Sequence, residues 1–365
     1  MKLSARIFYE SLAIFIITRL AFALENNIIV RITKKLQPGK GFLELINQWD
    51  SVWYIGIIKN GYMLTPLTGP VGMVGQADWA FFPLLPIFAK VFCLFGFSPE
   101  LSGIIVNQIA FLLCIWVFYL ILLDYVSHAQ ALFGVFIFAI SPFNIFVSAA
   151  YSDTLFMLFS LLAFYNLKKG NYWLAAFYGA FLSATRFFGI IYLVVYLYDA
   201  FFVTRRRNFA LILQCLLISS GLLVFMLYLY LHIGDPLAFY HIQKAWGHLA
   251  VDWLNHPLDA IATTFMSGQT YAKWFLILSL IWVPYLFYKK MYEYAIFSAL
   301  CLAAPIVAGT LWSYTRYSLS MFTFYLVITL ISSRSQAIRY LILLLTVILH
   351  FGFYLLWMVG DAAVL

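Results

Sequence analysis

Long stretches of apolar residues follow one another along most of this sequence, and they limit most strongly what the chain can fold into. A helix needs about 20 mostly apolar residues to cross a bilayer. Only 10% of the 365 residues are charged, whereas roughly a quarter are charged in soluble domains. A water-soluble fold of this size has too little interior to hide so many apolar side chains. The sequence therefore predicts an all-α polytopic membrane protein.

The hydropathy pattern predicts about eleven transmembrane helices in a single domain, 1–365. The predicted spans are 7–24, 101–123, 131–149, 153–167, 171–185, 187–203, 209–231, 271–288, 292–311, 318–332 and 339–359. The first is expected to be a retained span, because no small-residue cleavage site follows it. The hydrophobic stretch 81–97 is interrupted by Pro83, Pro86 and Lys90. Because proline kinks helices, we expect an interfacial or re-entrant helix there.

Basic residues indicate the orientation of these helices. With the N-terminus inside, the predicted inner segments contain Lys2, Arg6, Lys168, Lys169, Arg205, Arg206, Arg207, Lys289, Lys290, Arg334 and Arg339. This agrees with the positive-inside rule, whereas a full crossing at 81–97 would invert every later loop. The polar segments 25–100 and 232–270 then share the outer face, where we expect the active site. The net charge of +8 fits contact with membrane lipids, and we expect no nucleic-acid partner.

A carboxylate surrounded by aromatic rings is the sharpest local pattern. Asp50 follows Gln48 and Trp49 and precedes Trp53 and Tyr54. Aromatic faces stack on sugar rings, and they also belong at a membrane interface. A carboxylate beside them accepts or aligns a hydroxyl proton. We therefore predict a sugar or acceptor site around a catalytic Asp50, although an aromatic belt with one hydrated aspartate would give the same pattern.

Two further aspartates are candidates for the same face. Asp78 lies later in the first outer segment and is a second candidate catalytic residue. Tyr151 and Asp153 lie at the outer end of a predicted span and are expected to contact the sugar or acceptor. An aspartate at a helix start also serves as a cap, and the two roles are compatible.

Basic side chains on the predicted outer side suggest a phosphate site. Arg19, Arg186 and Arg316 all fall toward that side. Guanidinium groups bind phosphate through paired hydrogen bonds, although an interfacial arginine also snorkels. We predict that these arginines, with Lys244, bind the phosphate of a lipid-linked donor.

The second outer segment adds Gln243 and Trp246, which are expected to contact sugar hydroxyls; a solvated loop is the alternative. Most of the histidines also fall there, but they lack the H-E-x-x-H spacing, and we expect no metal site. No Walker or G-x-G-x-x-G loop is present to hold a soluble nucleotide donor. The sequence thus favours a lipid-linked donor and predicts no soluble cofactor.

The order and spacing of several short motifs resemble the PIG-V family (GPI mannosyltransferase 2) and its prokaryotic relatives, which belong to the GT-C class of membrane glycosyltransferases. The resemblance covers about 15–320. The motifs are Trp49-Asp50…Gly61-Tyr62, Phe81-Phe82-Pro83-Leu84-Leu85-Pro86, Ser141-Pro142…Tyr151-Ser152-Asp153 and Thr185-Arg186. The family usually has Ser-Glu where this chain has Ser152-Asp153. The chain is also shorter than eukaryotic members, which favours a prokaryotic relative.

The resemblance implies a GT-C fold and a glycosyltransferase that moves mannose or a related hexose, with inversion. The implied donor is a polyprenyl- or dolichyl-phosphate sugar, and the acceptor is a lipid-linked or glycan molecule on the outer or lumenal face. The essential acid of the class maps onto Asp50, with Asp78 second; assistance by a divalent metal stays open. The implied location is the cell membrane of a prokaryote, or alternatively the endoplasmic reticulum.

Two other function classes fit a polytopic chain. A lipid-linked sugar transporter or flippase needs polar residues along a path near the middle of the membrane, whereas the polar residues here gather on one predicted face. A non-catalytic membrane scaffold has no need for the outer acids and arginines. Both features favour an enzyme.

Overall fold

The computed structural model describes residues 2–36, 39–69, 73–248, 251–252 and 254–361. These residues are predominantly helical, and none of them lies in a β-strand. The α-helices are α1 (Lys2–Leu36), α2 (Phe42–Ile46), α3 (Asp50–Asn60), α4 (Leu84–Cys93), α5 (Pro99–Leu122), α6 (His128–Ala139), α7 (Asn144–Ser148), α8 (Asp153–Lys168), α9 (Tyr172–Ser183), α10 (Tyr192–Tyr198), α11 (Phe209–Ile233), α12 (Ala238–His241), α13 (Pro257–Ser267), α14 (Thr270–Tyr288), α15 (Tyr292–Val307), α16 (Tyr314–Leu319), α17 (Phe322–Ser332) and α18 (Gln336–Val359). Short 3₁₀ turns cover Asp78–Ala80, Phe187–Ile191 and Ile242–Trp246, and a π-helical turn covers Asp199–Val203.

The helices confirm the predicted fold class of an all-helical polytopic membrane protein. Among the described residues, five stretches are long and apolar enough to cross a bilayer: Ala5–Thr33, Pro99–Leu122, Phe209–Ile233, Thr270–Tyr288 and Gln336–Val359. The other predicted spans correspond to shorter apolar helices, several of them broken into two pieces. The total of about eleven crossings therefore stays a prediction.

The first helix is longer than the sequence predicted. We expected a span over 7–24 followed by an outer loop, but α1 continues to Leu36. The polar residues after Leu24 find partners that a helix can supply: Glu25 accepts a hydrogen bond from His350 on α18 at 2.8 Å. Asn27 donates to the backbone oxygen of Ala23 at 2.9 Å. These bonds satisfy the polar side chains inside the apolar stretch Ala5–Thr33.

The proline-rich stretch after the first loop forms the short helix α4. Its 10 residues extend about 15 Å, roughly half the thickness of a bilayer core. It packs against α3 and α5. A helix of this length agrees with the interfacial or re-entrant element predicted for 81–97.

Helix α8 runs through the centre of the bundle and defines its two ends. Nearly all of its residues are buried. Its 16 residues separate Asp153 from Lys168 by about 24 Å. We call these the Asp153 end and the Lys168 end. At the Lys168 end, Lys168 pairs with Glu293 at 2.6 Å and Lys169 with Asp124 at 3.0 Å.

The chain between α6 and α8 is not one continuous helix, and its buried backbone groups lie at the Asp153 end. Asn107, in the middle of α5, donates to the backbone oxygens of Ala149 at 2.7 Å and Tyr151 at 2.9 Å. The side-chain oxygen of Asn47 accepts from the backbone N–H of Ala150 at 2.8 Å. Buried backbone groups need such partners. These bonds fix the segment before α8 against α5 and the first loop.

Candidate active site

Four charged side chains form one connected network at the Asp153 end. Asp153 accepts from Arg316 Nε at 2.9 Å and pairs with Arg316 Nη2 at 2.8 Å. Its other oxygen accepts from Arg186 Nη1 and from Ser320 Oγ, the latter at 2.7 Å. Arg316 Nη1 also donates to Asp50 Oδ2. The chain of contacts therefore runs from Arg186 through Asp153 and Arg316 to Asp50.

The inner members of this network are buried. Asp153 is 0% exposed and Arg316 is 2% exposed. A buried charge is tolerated only when it is paired and hydrogen-bonded, and each of these two meets that condition. The Arg316 guanidinium also lies over the Tyr151 ring, 4.4 Å from its centroid. The position of Arg316 is therefore fixed from two sides.

Asp50 is the member of the network that solvent reaches. Its side chain is 35% exposed. Arg316 binds Oδ2, and Oδ1 has no hydrogen-bond partner among the described residues. One oxygen thus anchors the carboxylate while the other is free to accept a proton from a bound molecule.

The residues just before α3 and α16, the helices that carry Asp50 and Arg316, have strained backbone dihedral angles. Trp49, just before α3 and Asp50, has φ 56° and ψ −119°. Ser313, just before the helix that carries Arg316, has φ 67°. Positive φ is uncommon for residues other than glycine, and such strain persists only where the surrounding structure enforces it. Strained positions concentrate at functional sites.

Tyrosines bind the first loop to the start of α8. Tyr151 OH accepts from the backbone N–H of Asp50 at 3.1 Å and donates to the backbone oxygen of Gln48, also at 3.1 Å. Tyr54 OH donates to Ser152 Oγ at 2.7 Å. Burial raises the pKa of Tyr54 to about 12, so its hydroxyl stays protonated. Both tyrosines were predicted to contact sugar or acceptor; both are buried and hold Asp50 in place instead.

Asp153 was likewise predicted to contact sugar or acceptor, and the structure differs. The carboxylate is buried and fully engaged by two arginines and Ser320. Its side chain does not cap α8, because the capping position belongs to Ser152, which makes no capping bond through its side chain. Asp153 is therefore the anchor of the network.

Arg186 lies at the other exposed edge of the network. Its side chain is 11% exposed, and its bond to Asp153 uses one of its nitrogens. Its guanidinium lies 5.0 Å from the centroid of the Tyr317 ring. It therefore offers further donors at the same end of the bundle as Asp50.

Aromatic rings cover the side of α3 that faces the second outer segment. Trp53 stacks on Phe81 with ring centroids 5.8 Å apart. The Trp246 ring meets Trp53 edge-on at 5.8 Å. Trp49 is 37% exposed and is the ring of this group most available to a ligand. Gln48 instead donates to the backbone oxygen of Trp357 at 2.7 Å.

The second outer segment contributes polar groups near the rings of Trp53 and Trp246. Gln243 bonds the backbone oxygen of Phe239 at 3.3 Å and pairs with His248 at 2.8 Å. Burial lowers the pKa of His248, while the nearby charge of Asp50 acts in the opposite direction. Lys244 is exposed on the turn before Trp246. No ion pair among the described residues joins it to the arginine network, and its contact with the donor phosphate stays a prediction.

Asp78 does not join Asp50. Its two oxygens accept from the backbone N–H of Met63 at 3.1 and 3.2 Å, beyond the far end of α3. Burial raises the pKa of Asp78 to about 6. The neighbouring Trp79 donates to the backbone oxygen of Met63 at 2.7 Å. These bonds join two parts of the first outer segment, and a catalytic role for Asp78 stays a prediction.

Arg19 also lies apart from the network. It is in the middle of α1, where its guanidinium donates to the side-chain oxygen of Asn144. The rings of Phe22 and Phe111 lie 5.3 and 5.0 Å from it. No contact among the described residues joins it to Arg186 or Arg316, and its part in binding the donor phosphate stays a prediction.

The structure adds residues that the sequence analysis did not single out. Ser320 lies four residues after Arg316 and bonds the same aspartate, and Tyr317 lies beside Arg186. The i, i+4 spacing of Arg316 and Ser320 puts both on one helix face and was the available signal. Asn107 was detectable as a polar side chain inside a strongly apolar span.

An apolar cavity of about 480 Å³ lies between α4, α9 and α11. Its walls include Pro86, Ile87, Phe181 and Val224. Ala184 also lines it and precedes Arg186 by two residues. The cavity thus reaches the backbone two residues before Arg186, whose own side chain is not part of the lining. Within the described residues, no group of three His, Cys, Asp or Glu side chains converges as a metal site.

This chain is similar to a family of known proteins. The model of the family described as mannosyltransferase (PIG-V) matches residues 27–339. The human protein named GPI alpha-1,6-mannosyltransferase 2 is 24% identical over 166 residues, which cover 42% of this chain and 31% of that protein. The mouse protein of the same name is 26% identical over 163 residues, with the same two shares covered. The matched part of this chain thus spans about a third of the length of these relatives.

Proposed function

The chain belongs to the mannosyltransferase (PIG-V) family, and from this premise we propose that it transfers mannose, or a related hexose, from a polyprenyl- or dolichyl-phosphate donor. The acceptor is a lipid-linked or glycan molecule, and the reaction follows the GT-C pattern. The observation that carries the proposal is the partly exposed carboxylate of Asp50, held through one oxygen by a buried arginine.

In the proposed reaction, Asp50 is the general base. Its free Oδ1 takes the proton from an acceptor hydroxyl as the hydroxyl oxygen bonds to the anomeric carbon. The bond from that carbon to the phosphate oxygen breaks, and its electron pair leaves with the phosphate. Arg316 keeps the carboxylate oriented through Oδ2. A single displacement of this kind inverts the anomeric configuration.

Arg186 is the proposed partner of the departing phosphate. Negative charge grows on that group as the bond breaks, and fixed positive charge lowers the barrier there. Asp153 orients Arg186 through one nitrogen, and the remaining donors are available to the phosphate. Arg316 is fully committed to two carboxylates and takes a positioning role.

The lipid chain of the donor fits the apolar cavity between α4, α9 and α11. The cavity wall includes Ala184, two residues before Arg186. A phosphate bound by Arg186 leaves its isoprenoid chain beside these apolar side chains. Trp49 and the edges of Trp53 and Trp246 are then the rings available to a sugar.

We place the active site on the outer face of a prokaryotic cell membrane, with the endoplasmic reticulum lumen as the alternative. The basic residues at the Lys168 end support this orientation through the positive-inside rule. Partners are then the lipid-linked donor, the acceptor and membrane lipids. No soluble cofactor enters the proposed steps.

The reaction is tested with the full chain purified and reconstituted in lipid vesicles. Polyprenyl-phosphate mannose with a labelled sugar is added together with a membrane lipid extract, and the labelled product is identified. We expect label to move from the donor into a new glycolipid or glycan. A parallel reaction with a nucleotide-linked mannose is expected to give no product.

Two results would contradict the proposal. The first is an intact donor after incubation with extracts from bacterial, archaeal and eukaryotic membranes. The second is movement of the donor from one leaflet to the other without its consumption, which would identify a flippase. Heat-inactivated protein provides the background for both measurements.

A further inference from the structure

We infer that the Lys168 end carries a second binding site, which takes a phosphate-bearing anion supplied by the headgroup of an anionic membrane lipid. The site lies at the end of the bundle opposite Asp50. It does not depend on the proposed sugar transfer, and its test uses no enzymatic readout.

The site is a cavity of about 440 Å³ between two turns of the chain. One wall is the turn that leads into α9, including Asn171 and Trp173. The other is the turn that leads into α11, including Arg206 and Asn208, with Gln214 on the helix itself. The lining therefore mixes polar and apolar side chains and includes a fixed cation.

Arg206 is held rigidly in the wall of this cavity. Its guanidinium lies 3.3 Å from the centroid of the Tyr172 ring. It donates to Asp199 at 3.0 Å and to Gln214 at 3.3 Å. A guanidinium that is already ordered loses little conformational entropy on binding an anion.

The neighbouring residues make the local charge positive. Arg205 and Arg207 flank Arg206, and both are exposed. Neither forms a salt bridge with any described residue, whereas Asp199 offsets Arg206. Arg205 also has φ 52°, a backbone conformation that is costly for a residue other than glycine. The turn thus presents, beside this cavity, two positive charges that no described acid pairs with.

Exposed apolar side chains around the cavity indicate that its ligand belongs to a lipid. Trp173 is 52% exposed, Phe202 is 73% exposed and Phe209 is 72% exposed. Tryptophan is enriched where a helix meets the membrane interface. Basic pockets between transmembrane helices bind the headgroups of anionic lipids. A headgroup in the cavity would leave its acyl chains against these rings.

The test measures thermal unfolding of the full chain in detergent micelles doped with phosphatidylglycerol or with phosphatidylcholine. Phosphatidylglycerol is expected to raise Tm by about 2 °C or more relative to phosphatidylcholine. The double variant Arg205→Gln/Arg207→Gln is expected to lose most of that rise. The matched control, Lys289→Gln/Lys290→Gln, removes the same charge from another turn at the same end and is expected to keep it.

A second variant and a second ligand separate a defined site from general attraction. Ala210 lines the cavity, so Ala210→Trp fills it without changing the charge and is expected to abolish the rise. Glycerol 3-phosphate in phosphatidylcholine micelles tests a soluble source of the same phosphate. The site is supported if phosphatidylglycerol or glycerol 3-phosphate raises Tm and if Arg205→Gln/Arg207→Gln and Ala210→Trp both remove that rise. The ligand that raises Tm shows whether the phosphate comes from a lipid or from a soluble molecule.

Three results would overturn the inference. One is the absence of any rise in both arms for the wild-type chain. Another is equal loss of the rise in the Arg205/Arg207 and Lys289/Lys290 double variants, which would mean that only total charge matters. The third is a full rise in Ala210→Trp.

Discussion

The two ends of the bundle both carry ion pairs, but they organise them differently. At the Lys168 end, Asp124, Glu293 and Asp199 each pair with a basic residue of their own. Glu10 at this end pairs with Arg6 and His128, separately from these three pairs. At the Asp153 end, two arginines share two aspartates in a single connected network. That network ends on Asp50, a carboxylate with one oxygen that has no partner in the described part of the chain.

We interpret the ion pairs at the Lys168 end as structural contacts, and the network at the Asp153 end as one that also prepares a binding site. One-to-one pairs satisfy charges and fasten neighbouring helices to each other. The shared network does this at its buried centre, Asp153, and also presents Arg186 and Asp50 at its edges. Four variants break or sharpen this comparison.

The largest expected effect follows from removing the centre of the network with Asp153→Asn. The buried Arg316 and the partly exposed Arg186 would lose their shared counterion, and breaking a buried ion pair costs about 3–5 kcal/mol of unfolding free energy. We expect a strongly reduced yield of folded protein and a much lower Tm in detergent. A Tm within a degree of the wild type would show that Asp153 does not anchor the network.

Arg186→Gln tests an edge of the network rather than its centre. Arg316 keeps Asp153 paired, so the variant is expected to fold. Loss of the phosphate partner is expected to lower kcat/KM for the lipid-linked donor by about 10²-fold. Arg334→Gln, at the Lys168 end, is the matched control and is expected to keep wild-type kinetics. Unchanged kcat/KM in Arg186→Gln would remove Arg186 from the reaction.

Asp78→Asn distinguishes the structural aspartate of the first loop from Asp50. Burial raises the pKa of Asp78 from 3.8 to about 6, so between these values the folded state binds more protons than the unfolded state. The free energy of unfolding therefore falls as the pH rises through this window. Asparagine avoids that loss, and the variant is expected to match or exceed the wild-type Tm by up to about 3 °C near pH 7.5.

The advantage of Asp78→Asn is expected to shrink toward pH 4, where the wild-type carboxyl is protonated. Asp235→Asn provides a control of opposite sign, because hydrogen bonding from His241 lowers the pKa of Asp235. Transfer activity is expected to survive in Asp78→Asn. An inactive but folded protein would return Asp78 to the catalytic group.

The smallest expected effect is that of Asp124→Asn at the Lys168 end. Both members of its pair with Lys169 are about 40% exposed or more, and exposed pairs contribute about 0–1 kcal/mol. We expect a Tm within about 2 °C of the wild type. A loss as large as that of Asp153→Asn would erase the contrast between the two ends.

The apolar pattern predicted the helical fold because burial in a bilayer depends on composition over about 20 residues. It misplaced the end of α1, since Glu25 and its polar neighbours resemble a loop when considered alone. Glu25 bonds His350, which is 325 residues away along the chain, and a contact of this kind leaves no local signal.

The same limit applies to the site. Asp50, Arg186 and Arg316 were predicted to lie together, and the structure brings them into one network. Arg19 was assigned to the same group because its span seemed to end nearby. Asp78 was named as the second candidate because it also lies in the first outer segment, whereas its oxygens bond Met63, beyond the far end of α3. Whether an acid anchors or reacts depends on burial, which the sequence does not reveal.

The most direct test of the central claim compares Asp50→Asn with Asp259→Asn in the reconstituted transfer reaction. Asp259 is exposed on α13 and lies outside the network. The account predicts that Asp50→Asn folds normally and loses at least about 10²-fold in turnover, while Asp259→Asn retains wild-type turnover. Wild-type turnover in a folded Asp50→Asn protein would contradict the account.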